Sequence, residues 1–417
     1  MHIYKFGGAS TATIERIHTL GKIVREAQPA PMLLVISAMD KTTNALEKVV
    51  AAFAEKRSSE ALSLFDAIKK QHLETAAQLL HDVNLTACIE VLKDIFTEIT
   101  WLLHDTPVRH YDYYYDQIVC SGELMSSCII SHYLQQIGIH NSWLDVRDVL
   151  RTDNTFRDAN IQWEKSAQLA VASIDLNGIT VTQGFIGATD ENESTTLGRE
   201  GSDYTAAIFA SLLKATSVTI WKDVTGVMNA DPKQFSDAVL INQLNYDEVI
   251  EMAYYGAQVI HPKTIKPLQN NHIPLYVKCF LDSSLPGTII NNQPVQKLPP
   301  IIVAKNNQVI LHLQTKDFSF VADEHMIELY QAFNEMHVRP NMIQTGAINV
   351  QICVDDLPEK IHLLASSIAT TFDVQIEKDL HLITIRHYDK ANRKAFTYGK
   401  KVVLEQTSAH TWQLVYQ

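Results

Sequence analysis

Apolar and polar residues alternate along the first 290 positions in a pattern that predicts short buried strands separated by helices. Residues 3–6 and 31–39 are apolar segments, and the second is continuous, which is typical of a strand buried on both faces of a parallel sheet. Residues 13–27 between them have a helical period. Further strands are predicted at 142–146, 179–187, 217–221 and 273–277. The alternation indicates an α/β fold with a mainly parallel, doubly wound central sheet.

A long helical segment interrupts this alternation. Residues 45–103 contain neither proline nor glycine and are rich in Ala, Leu, Glu and Lys, which favours two or three helices. We assign residues 45–115 to a mostly helical subregion beside the sheet. The tyrosines within 111–115 are interpreted as packing residues rather than binding residues.

The pattern changes after residue 290. Residues 291–300 are polar and proline-bearing, which is typical of a linker, so residues 1–290 are predicted to form one domain. The order of predicted elements in 309–377 is βαββαβ, and strands at 380–385, 401–405 and 411–416 begin a second, shorter unit. Residues 301–417 are therefore predicted to form two tandem α+β modules, the second of them short, with a role in regulation or dimerisation.

Composition and charge exclude several classes of protein. The chain has 417 residues, long enough for two or three domains, and no apolar run of the ~18 residues that a membrane span requires. A formal net charge of −12 disfavours nucleic acid or an anionic membrane as a partner. The N-terminus lacks a secretory pattern, and five scattered cysteines fit a reducing compartment, so we expect a cytoplasmic protein.

The first strand leads into a candidate phosphate site. Lys5 ends the strand, Gly7 and Gly8 follow, and Ser10 precedes a helix. Glycines let phosphate oxygens approach the backbone, and a lysine neutralises charge that moves during transfer. Lys5 precedes the glycines, so this is not the Gly-x-x-x-x-Gly-Lys-Ser/Thr loop. A plain tight turn is the alternative.

A second candidate site lies in residues 195–207, a polar loop that runs into an apolar helix. Ser202 and Asp203 stand where the helix begins, and the free N–H groups of a helix N-terminus attract anions. An ordinary helix cap is the alternative. Ser37 ends the second strand, at the sheet edge where ligands bind in open α/β folds. Glu123 lies in the first turn of another predicted helix.

Seven segments, in this order, resemble the aspartokinases, members of the amino acid kinase family with C-terminal ACT modules. They are Lys5-Phe6-Gly7-Gly8-Ala9-Ser10, Val35-Ile36-Ser37-Ala38, Ser121-Gly122-Glu123, Gly184-Phe185, residues 195–207, residues 222–227 with Asp231-Pro232, and His261-Pro262-Lys263-Thr264. The resemblance implies a three-layer αβα amino acid kinase fold with ACT-like βαββαβ modules. It also implies transfer of a phosphoryl group from ATP, with Mg²⁺, to the β-carboxylate of L-aspartate, the first step toward lysine, threonine and methionine.

The resemblance also assigns roles by position. Lys5 would neutralise the transferring phosphoryl group, and Asp203 would hold Lys5 in place. The other nucleotide-binding residues would be Gly7, Gly8, Ser10, Lys222, Asp223, Met228, Lys233 and Lys263. Arg199 would bind a carboxylate of aspartate and Glu123 its ammonium, in a pocket completed by Ser37, Thr43, Phe185, Thr196 and Ser202. Mg²⁺ would be held through the ATP phosphates, with no direct protein ligand.

Several positions depart from the family pattern. Glu200 stands where glycine is common, which raises the alternatives of a displaced backbone or a side chain that faces solvent. Ala9, Lys222 and Met228 also differ from the usual residues. In the first ACT-like module, Asn341 and Ala347 replace frequent acidic residues, so we expect a weakened, altered or absent lysine or threonine site.

Two further expectations concern the whole protein. We expect a homodimer or higher homo-oligomer formed through the ACT-like modules, and a monofunctional enzyme because no homoserine dehydrogenase domain follows. An enzyme of the same family with another acceptor and a catalytically silent amino-acid sensor are the alternatives.

Overall fold

The computed structural model describes residues 1–257, 259–295 and 297–417 and divides them into two compact units. Unit 1 comprises Met1–Val227, Leu240–Ile250 and Val259–Val295. Unit 2 comprises Met228–Val239, Glu251–Gln258 and Gln296–Gln417. Two short segments before residue 290 therefore belong to the second unit, whereas the sequence assigned all of 1–290 to the first. Gln296, within the predicted linker, lies outside the described residues.

Unit 1 is built on one large sheet. Its strands are β1 (His2–Phe6), β2 (Met32–Ile36), β3 (Ser142–Leu144), β4 (Ile179–Gln183), β7 (Ser217–Lys222), β8 (Gln243–Asn245), β9 (Leu275–Cys279) and β10 (Thr288–Asn291), with a separate hairpin of β5 (Ile186–Ala188) and β6 (Ser194–Thr196). The strand order is β3-β4-β2-β1-β7-β9-β10-β8, and within this sheet the described strands pair in parallel except for β9 with β10. All five residues of β2 are buried, as its continuous apolar sequence predicts.

Helices cover the sheet in two layers. They are α1 (Ile14–Glu26), α2 (Thr42–Ala54), α3 (Ser58–Leu79), α4 (Asp82–His104), α5 (Tyr111–Val119), α6 (Ser121–Gln136), α7 (Trp163–Ser173), α8 (Gly201–Leu213), α9 (Tyr246–Tyr254, divided between the two units) and α10 (Pro262–Asn270). Helix α6 packs on β2 and β4 and contacts α1 and α4, whereas α8 packs on β1 and β7 and contacts α7 and α10. This is the predicted three-layer arrangement, and α2 to α5 form the predicted helical subregion.

Unit 2 contains one antiparallel sheet. Its strands are β11 (Ile301–Thr315), β12 (Pro340–Thr345), β13 (Asn349–Asp355), β14 (Phe372–Arg386), β15 (Val402–Thr407) and β16 (Thr411–Tyr416), and its helices are α11 (Asp323–Glu335), α12 (Pro358–Ser367) and α13 (Lys390–Thr397). The strand order is β12-β13-β11-β14-β16-β15. The predicted βαββαβ order is observed, and α13 lies between the predicted strands at 380–385 and 401–405.

The two modules share their long central strands. Residues 308–315 of β11 pair with 372–380 of β14 in the first module, and 301–305 pair with 382–386 in the second, with irregular register between Lys305 and Ile310. The second module therefore takes one strand from upstream of the first. Its core includes Ile302, Ile385 and Trp412, separate from the first module's core around Leu311 and Leu364. The second module was predicted to begin at residue 380. That prediction missed the strand at 301–305, because this strand is distant in sequence from the rest of the module.

Segment 228–239 joins unit 2 through the same upstream strand. The backbone N–H of Ile302 donates to the Asn229 carbonyl at 2.7 Å, and the Asn229 side chain donates to the Pro300 carbonyl at 2.9 Å. Met228 and Lys233 thus lie in unit 2. Among the described helices, none has the length and apolar character needed to cross a membrane.

Candidate active site

Four neighbouring parallel strands deliver their carboxyl ends to one edge of the sheet in unit 1. Strand β1 ends beside Gly7 and Gly8, β2 beside Ser37, β4 beside Phe185, and β7 at Lys222. An added Cβ on Gly8 would lie 2.7 Å from the carbonyl oxygen of Ala38, so the turns after β1 and β2 pack too closely for any other residue. Ligands bind at this edge in open α/β sheets.

A buried carboxylate joins two lysines at this edge. The Asp203 Oδ1 atom lies 2.6 Å from Lys5 Nζ, and Oδ2 lies 3.5 Å from Lys222 Nζ. Asp203 is in the first turn of α8 and only 3% exposed. Burial alone would raise the pKa of Asp203, but Lys5 and Lys222 outweigh it and lower the pKa below its ordinary value. Asp203 is therefore ionised and holds both ammonium groups in place.

Glu123 is a buried carboxyl group with one oxygen unpaired. Its Oε1 accepts the backbone N–H of Ala38 at 3.2 Å, whereas Oε2 has no hydrogen-bond partner among the described residues. Burial raises the pKa of Glu123 to about 8, although the Ala38 N–H and the charge of Lys5 act in the opposite direction. A buried, unpaired carboxyl oxygen is suited to a cationic ligand, because pairing with such a ligand would remove the cost of its burial.

A third buried carboxyl group, that of Asp116, holds two residues that belong to the site. Asp116 accepts the Thr196 hydroxyl at 2.7 Å, the Thr196 N–H at 2.8 Å and the Arg157 N–H at 3.0 Å. Burial raises the pKa of Asp116 to about 6 against these hydrogen bonds. Asp116 thus ties β6 to the loop that carries Arg157, and the Arg157 guanidinium lies 4.5 Å from the centre of the Tyr115 ring.

These groups surround a cavity of about 530 Å³. Most of the residues that the sequence nominated line it, namely Lys5, Gly8, Ser37, Thr43, Glu123, Phe185, Thr196, Arg199, Ser202, Asp203 and Lys222. Ala38, Asp40, Tyr115, Arg157, Gly198, Glu200 and Gly201 also line it. Tyr115 was predicted to be a packing residue. Nothing in the local sequence marks Arg157, which reaches the cavity through tertiary contacts with α5.

Other nominated residues are not among those that line the cavity. Gly7 and Ser10 form the turn after β1, where the Ser10 N–H donates to the Gly7 carbonyl at 2.9 Å. Asp223 pairs with Arg16 at 3.2 Å, and Lys263 pairs with Asp158. Met228 and Lys233 lie in unit 2. Their assignment to nucleotide binding stays a prediction.

Comparison with known proteins places the chain in a family. The sequence model of the amino acid kinase family matches residues 1–279. The chain belongs to the amino acid kinase family. Lysine-sensitive aspartokinase 3 of Escherichia coli (strain K12) is 30% identical over 413 residues, which cover 96% of this chain and 89% of the relative. The predicted resemblance to aspartokinases is confirmed.

Other comparisons define how far this amino acid kinase resembles known proteins. The bifunctional aspartokinase/homoserine dehydrogenase 1 of Zea mays is 36% identical over 301 residues, and the chain spans about a third of that relative's length. The structure of E. coli aspartokinase III in complex with aspartate and ADP (R-state) has a TM-score of 0.80 and 26% identity, with 100% of this chain and 96% of that chain covered. Aspartate kinase of Clostridium acetobutylicum has a TM-score of 0.80 at 19% identity, which shows a common fold. The predicted fold class is confirmed.

Glu200 keeps a backbone conformation that favours glycine in this amino acid kinase. Its φ is 55° and its ψ 28°, in the left-handed region, and it is the N-cap of α8. Its side chain does not simply face solvent, because the carboxylate accepts the backbone N–H of His261 at 2.9 Å. Glu200 therefore combines the left-handed turn with a hydrogen bond that glycine cannot make.

Replacing Glu200 should separate these two effects. We expect Glu200→Gly to change the free energy of unfolding by less than about 1 kcal/mol, because relief of the left-handed strain offsets the lost hydrogen bond. Glu200→Val should lower it by about 2 kcal/mol, because a β-branched residue is strained at this φ. Urea denaturation of both variants measures the difference. A valine variant as stable as the glycine variant would show that the turn is not strained.

Proposed function

We propose that this protein is an aspartate kinase that transfers the γ-phosphoryl group of ATP to the β-carboxylate of L-aspartate, giving 4-phospho-L-aspartate and ADP. One observation carries the proposal: a single cavity contains lysines held by Asp203, an unpaired buried oxygen of Glu123, and the guanidinium of Arg199. These groups are complementary to phosphate, to an ammonium and to a carboxylate. The similarity to E. coli aspartokinase III, solved with aspartate and ADP, supports the same assignment.

The proposed chemistry requires positioning and charge neutralisation more than proton transfer. The aspartate β-carboxylate is already ionised at neutral pH, so its attack on phosphorus needs no general base. As the bond between the γ-phosphorus and the bridging oxygen breaks, negative charge grows on the oxygens of ADP and the phosphoryl group. Lys5 would stabilise that charge, and Lys222 would contact the phosphates beside it.

Asp203 is proposed to position the lysines rather than to take up a proton. Both of its oxygens face lysine ammonium groups, and its pKa is lowered, which makes it a poor base. A metal ion at either oxygen of Asp203 would lie against a lysine ammonium group, since Oδ1 is 2.6 Å from Lys5 Nζ and Oδ2 is 3.5 Å from Lys222 Nζ. We therefore infer that Mg²⁺ is held by the ATP phosphates, where it would supply further neutralisation of phosphate charge.

The amino acid would bind at the ends of β2 and β4. Glu123 would accept the α-ammonium, and Arg199 would bind a carboxylate with its two parallel N–H groups. Phe185 has a left-handed φ of 72° and its N–H donates to the Thr205 hydroxyl at 2.9 Å, so the chain leaves the sheet there and turns toward the cavity. Ser37, Thr43, Thr196 and Ser202 would complete the pocket.

Formation of aspartyl hydroxamate from ATP, Mg²⁺, aspartate and hydroxylamine tests the proposal. We expect more hydroxamate with aspartate than with glutamate or N-acetylglutamate. A nucleoside monophosphate forms no hydroxamate, so its turnover is measured by ADP release, which we expect to be well below that with aspartate. Equal or greater turnover of another acceptor would show that the protein is an enzyme of the same family with that acceptor as its substrate. No turnover of any acceptor, with ATP still bound, would favour the silent sensor.

The raised pKa of Glu123 predicts a pH-dependent affinity for aspartate. Below a pKa of about 8 the carboxyl group is mostly protonated in the free enzyme, so it cannot pair with the ammonium. The KM for aspartate should therefore fall by up to about tenfold per unit as pH rises from 6.5 to 8. Steady-state kinetics across this range measures the trend.

Glu123→Gln provides the matched control for this trend. It should raise KM at pH 8.5 by at least about tenfold and flatten the profile. Because the pKa of Glu123 is raised in the folded state, its carboxyl group stabilises the folded protein at low pH, and this contribution is lost as pH rises toward 8. Glutamine does not ionise, so the variant does not lose unfolding free energy over this range. The variant should therefore remain folded at pH 8.5. An unchanged KM profile would contradict the role of Glu123.

We also infer that the protein is a cytoplasmic homodimer formed through unit 2. Phe318 and Phe320 precede α11 and are 69% and 77% exposed, and Ile327 and Tyr330 on α11 are also exposed. Such an apolar surface is typical of a subunit interface. The five cysteines are free, which fits a reducing compartment. Light scattering gives the oligomeric state, and assays with added lysine or threonine test for the expected weak response.

A further inference from the structure

Two cysteines and a histidine meet between α4 and α6, away from the cavity just described. The Sγ atoms of Cys88 and Cys128 are 3.9 Å apart, and Cys128 Sγ lies 3.7 Å from His132 Nδ1. One ligand atom from each residue lies within 4.8 Å of the other two. Both cysteines are fully buried, and His132 is partly exposed. None of the three lines the active-site cavity.

We propose that Cys88, Cys128 and His132 form a binding site for a thiophilic divalent cation of the Zn²⁺ type. Two thiolates and an imidazole are a ligand set that such cations prefer. The partly exposed side at His132 would leave a fourth position for water.

The distances between ligand atoms fit this coordination. With Zn–S of about 2.3 Å and Zn–N of about 2.0–2.1 Å, a tetrahedral ion sets its sulfur atoms about 3.8 Å apart and sulfur and nitrogen about 3.6 Å apart. The observed separations of 3.9 Å and 3.7 Å need only small side-chain shifts. A disulfide would instead require the two sulfur atoms to approach to about 2.05 Å.

The charge of the ligand set is also compatible with a divalent cation. Binding a divalent cation would release the protons of the Cys88 and Cys128 thiols. The charges of the two resulting thiolates would balance the charge of the cation. His132 Nδ1 also lies 2.9 Å from the Cys128 carbonyl oxygen, and coordination through Nδ1 would replace that hydrogen bond.

The position of the cluster gives such a site a structural consequence. Cys128 lies on α6, the helix whose first turn carries Glu123, and Cys88 lies on α4 of the helical subregion. A bound cation would cross-link these two helices. We expect it to raise the melting temperature of the whole protein and to leave the acceptor specificity unchanged.

Titration of the reduced, metal-free, full-length protein with Co²⁺ tests the proposal without any substitution. We expect one equivalent of Co²⁺ to produce thiolate-to-cobalt charge-transfer absorption and the visible bands of a tetrahedral ion, and Zn²⁺ but not Mg²⁺ to displace it. No charge-transfer band in the reduced wild-type protein would overturn the proposal and leave the pair as packed thiols or a disulfide precursor.

Matched variants locate the ligands. Cys88→Ser and Cys128→Ser should each weaken Zn²⁺ binding by at least about 100-fold and abolish the charge-transfer band or reduce it by half or more, whereas His132→Asn should keep sulfur ligation and shift the visible bands. Cys279→Ser and Cys353→Ser, buried cysteines outside the cluster, should bind as the wild type does. Circular dichroism confirms that each variant is folded. Full binding by folded Cys88→Ser and Cys128→Ser variants would contradict the assignment.

Discussion

Lys5→Ala is expected to lower kcat for aspartate phosphorylation by about 10³-fold, because it removes the cation that would neutralise the transferring phosphoryl group. Lys5 is 12% exposed and lies 2.6 Å from Asp203, so alternative cations cannot readily take its place. The KM for ATP should change much less than kcat, since Lys222 would remain beside the proposed phosphate site. Steady-state hydroxamate kinetics with both substrates measures the two constants.

Lys22→Ala is the matched control for this variant. Lys22 is 73% exposed on α1, where it pairs with Glu26, and its removal should leave kcat unchanged. If Lys5→Ala retained more than a tenth of wild-type kcat while folded, Lys5 would not stabilise the transition state. Equal losses in both variants would instead indicate a general effect of reduced charge.

Asp203→Asn should affect both activity and stability. The substitution leaves Lys5 and Lys222 without their shared carboxylate, and breaking a buried pair in this way costs about 3 kcal/mol of unfolding free energy. We expect kcat to fall by about 10²-fold, because Lys5 would lose its fixed position although its charge remains. Urea denaturation and steady-state kinetics measure the two effects.

An exposed aspartate gives the reference for the stability measurement. Asp66 pairs with Lys69 at 2.5 Å on α3 but is 65% exposed, so Asp66→Asn should change the unfolding free energy by less than about 0.5 kcal/mol. A kcat for Asp203→Asn close to that of the wild type would contradict the positioning role. The difference in unfolding free energy between the wild type and Asp203→Asn should also become smaller at low pH. The wild-type carboxylate contributes stability that is lost as pH falls through its lowered pKa.

The fold class was predictable because apolar residues recur with a clear period in the sequences of the long buried helices and strands. The apolar run at 31–39 and the helical period at 13–27 correspond to β2 and α1. The short strands β8 and β10 were missed, because Gln243–Asn245 and Thr288–Asn291 are too short and too polar to show alternation. The predicted strand at 179–187 is divided in the structure, since the left-handed φ of Phe185 ends pairing in the sheet.

The candidate site was predictable where a motif places a residue at a strand end. Lys5, Ser37 and Lys222 come together because parallel strands present their carboxyl ends at one edge. Arg157 was not predicted, since it reaches the cavity through contacts with Asp112, Tyr115 and Asp116 on α5, a helix distant from it in sequence. Met228 was assigned to nucleotide binding by the family resemblance, and that assignment stays a prediction. The inclusion of its segment in unit 2 was not predictable, because the strand at 301–305 that is hydrogen-bonded to this segment lies far along the chain.

The shared central strands of unit 2 also constrain the order in which the chain can fold. Residues 301–305 pair with residues 382–386. The strand at 301–305 is therefore synthesised before the first module, whereas its partner strand is synthesised after that module. The first module closes from contiguous sequence and can form during synthesis, whereas the second cannot close until the strand Thr411–Tyr416 has been made. Until then residues 301–305 present an unpaired strand edge, a surface that favours association with other nascent chains.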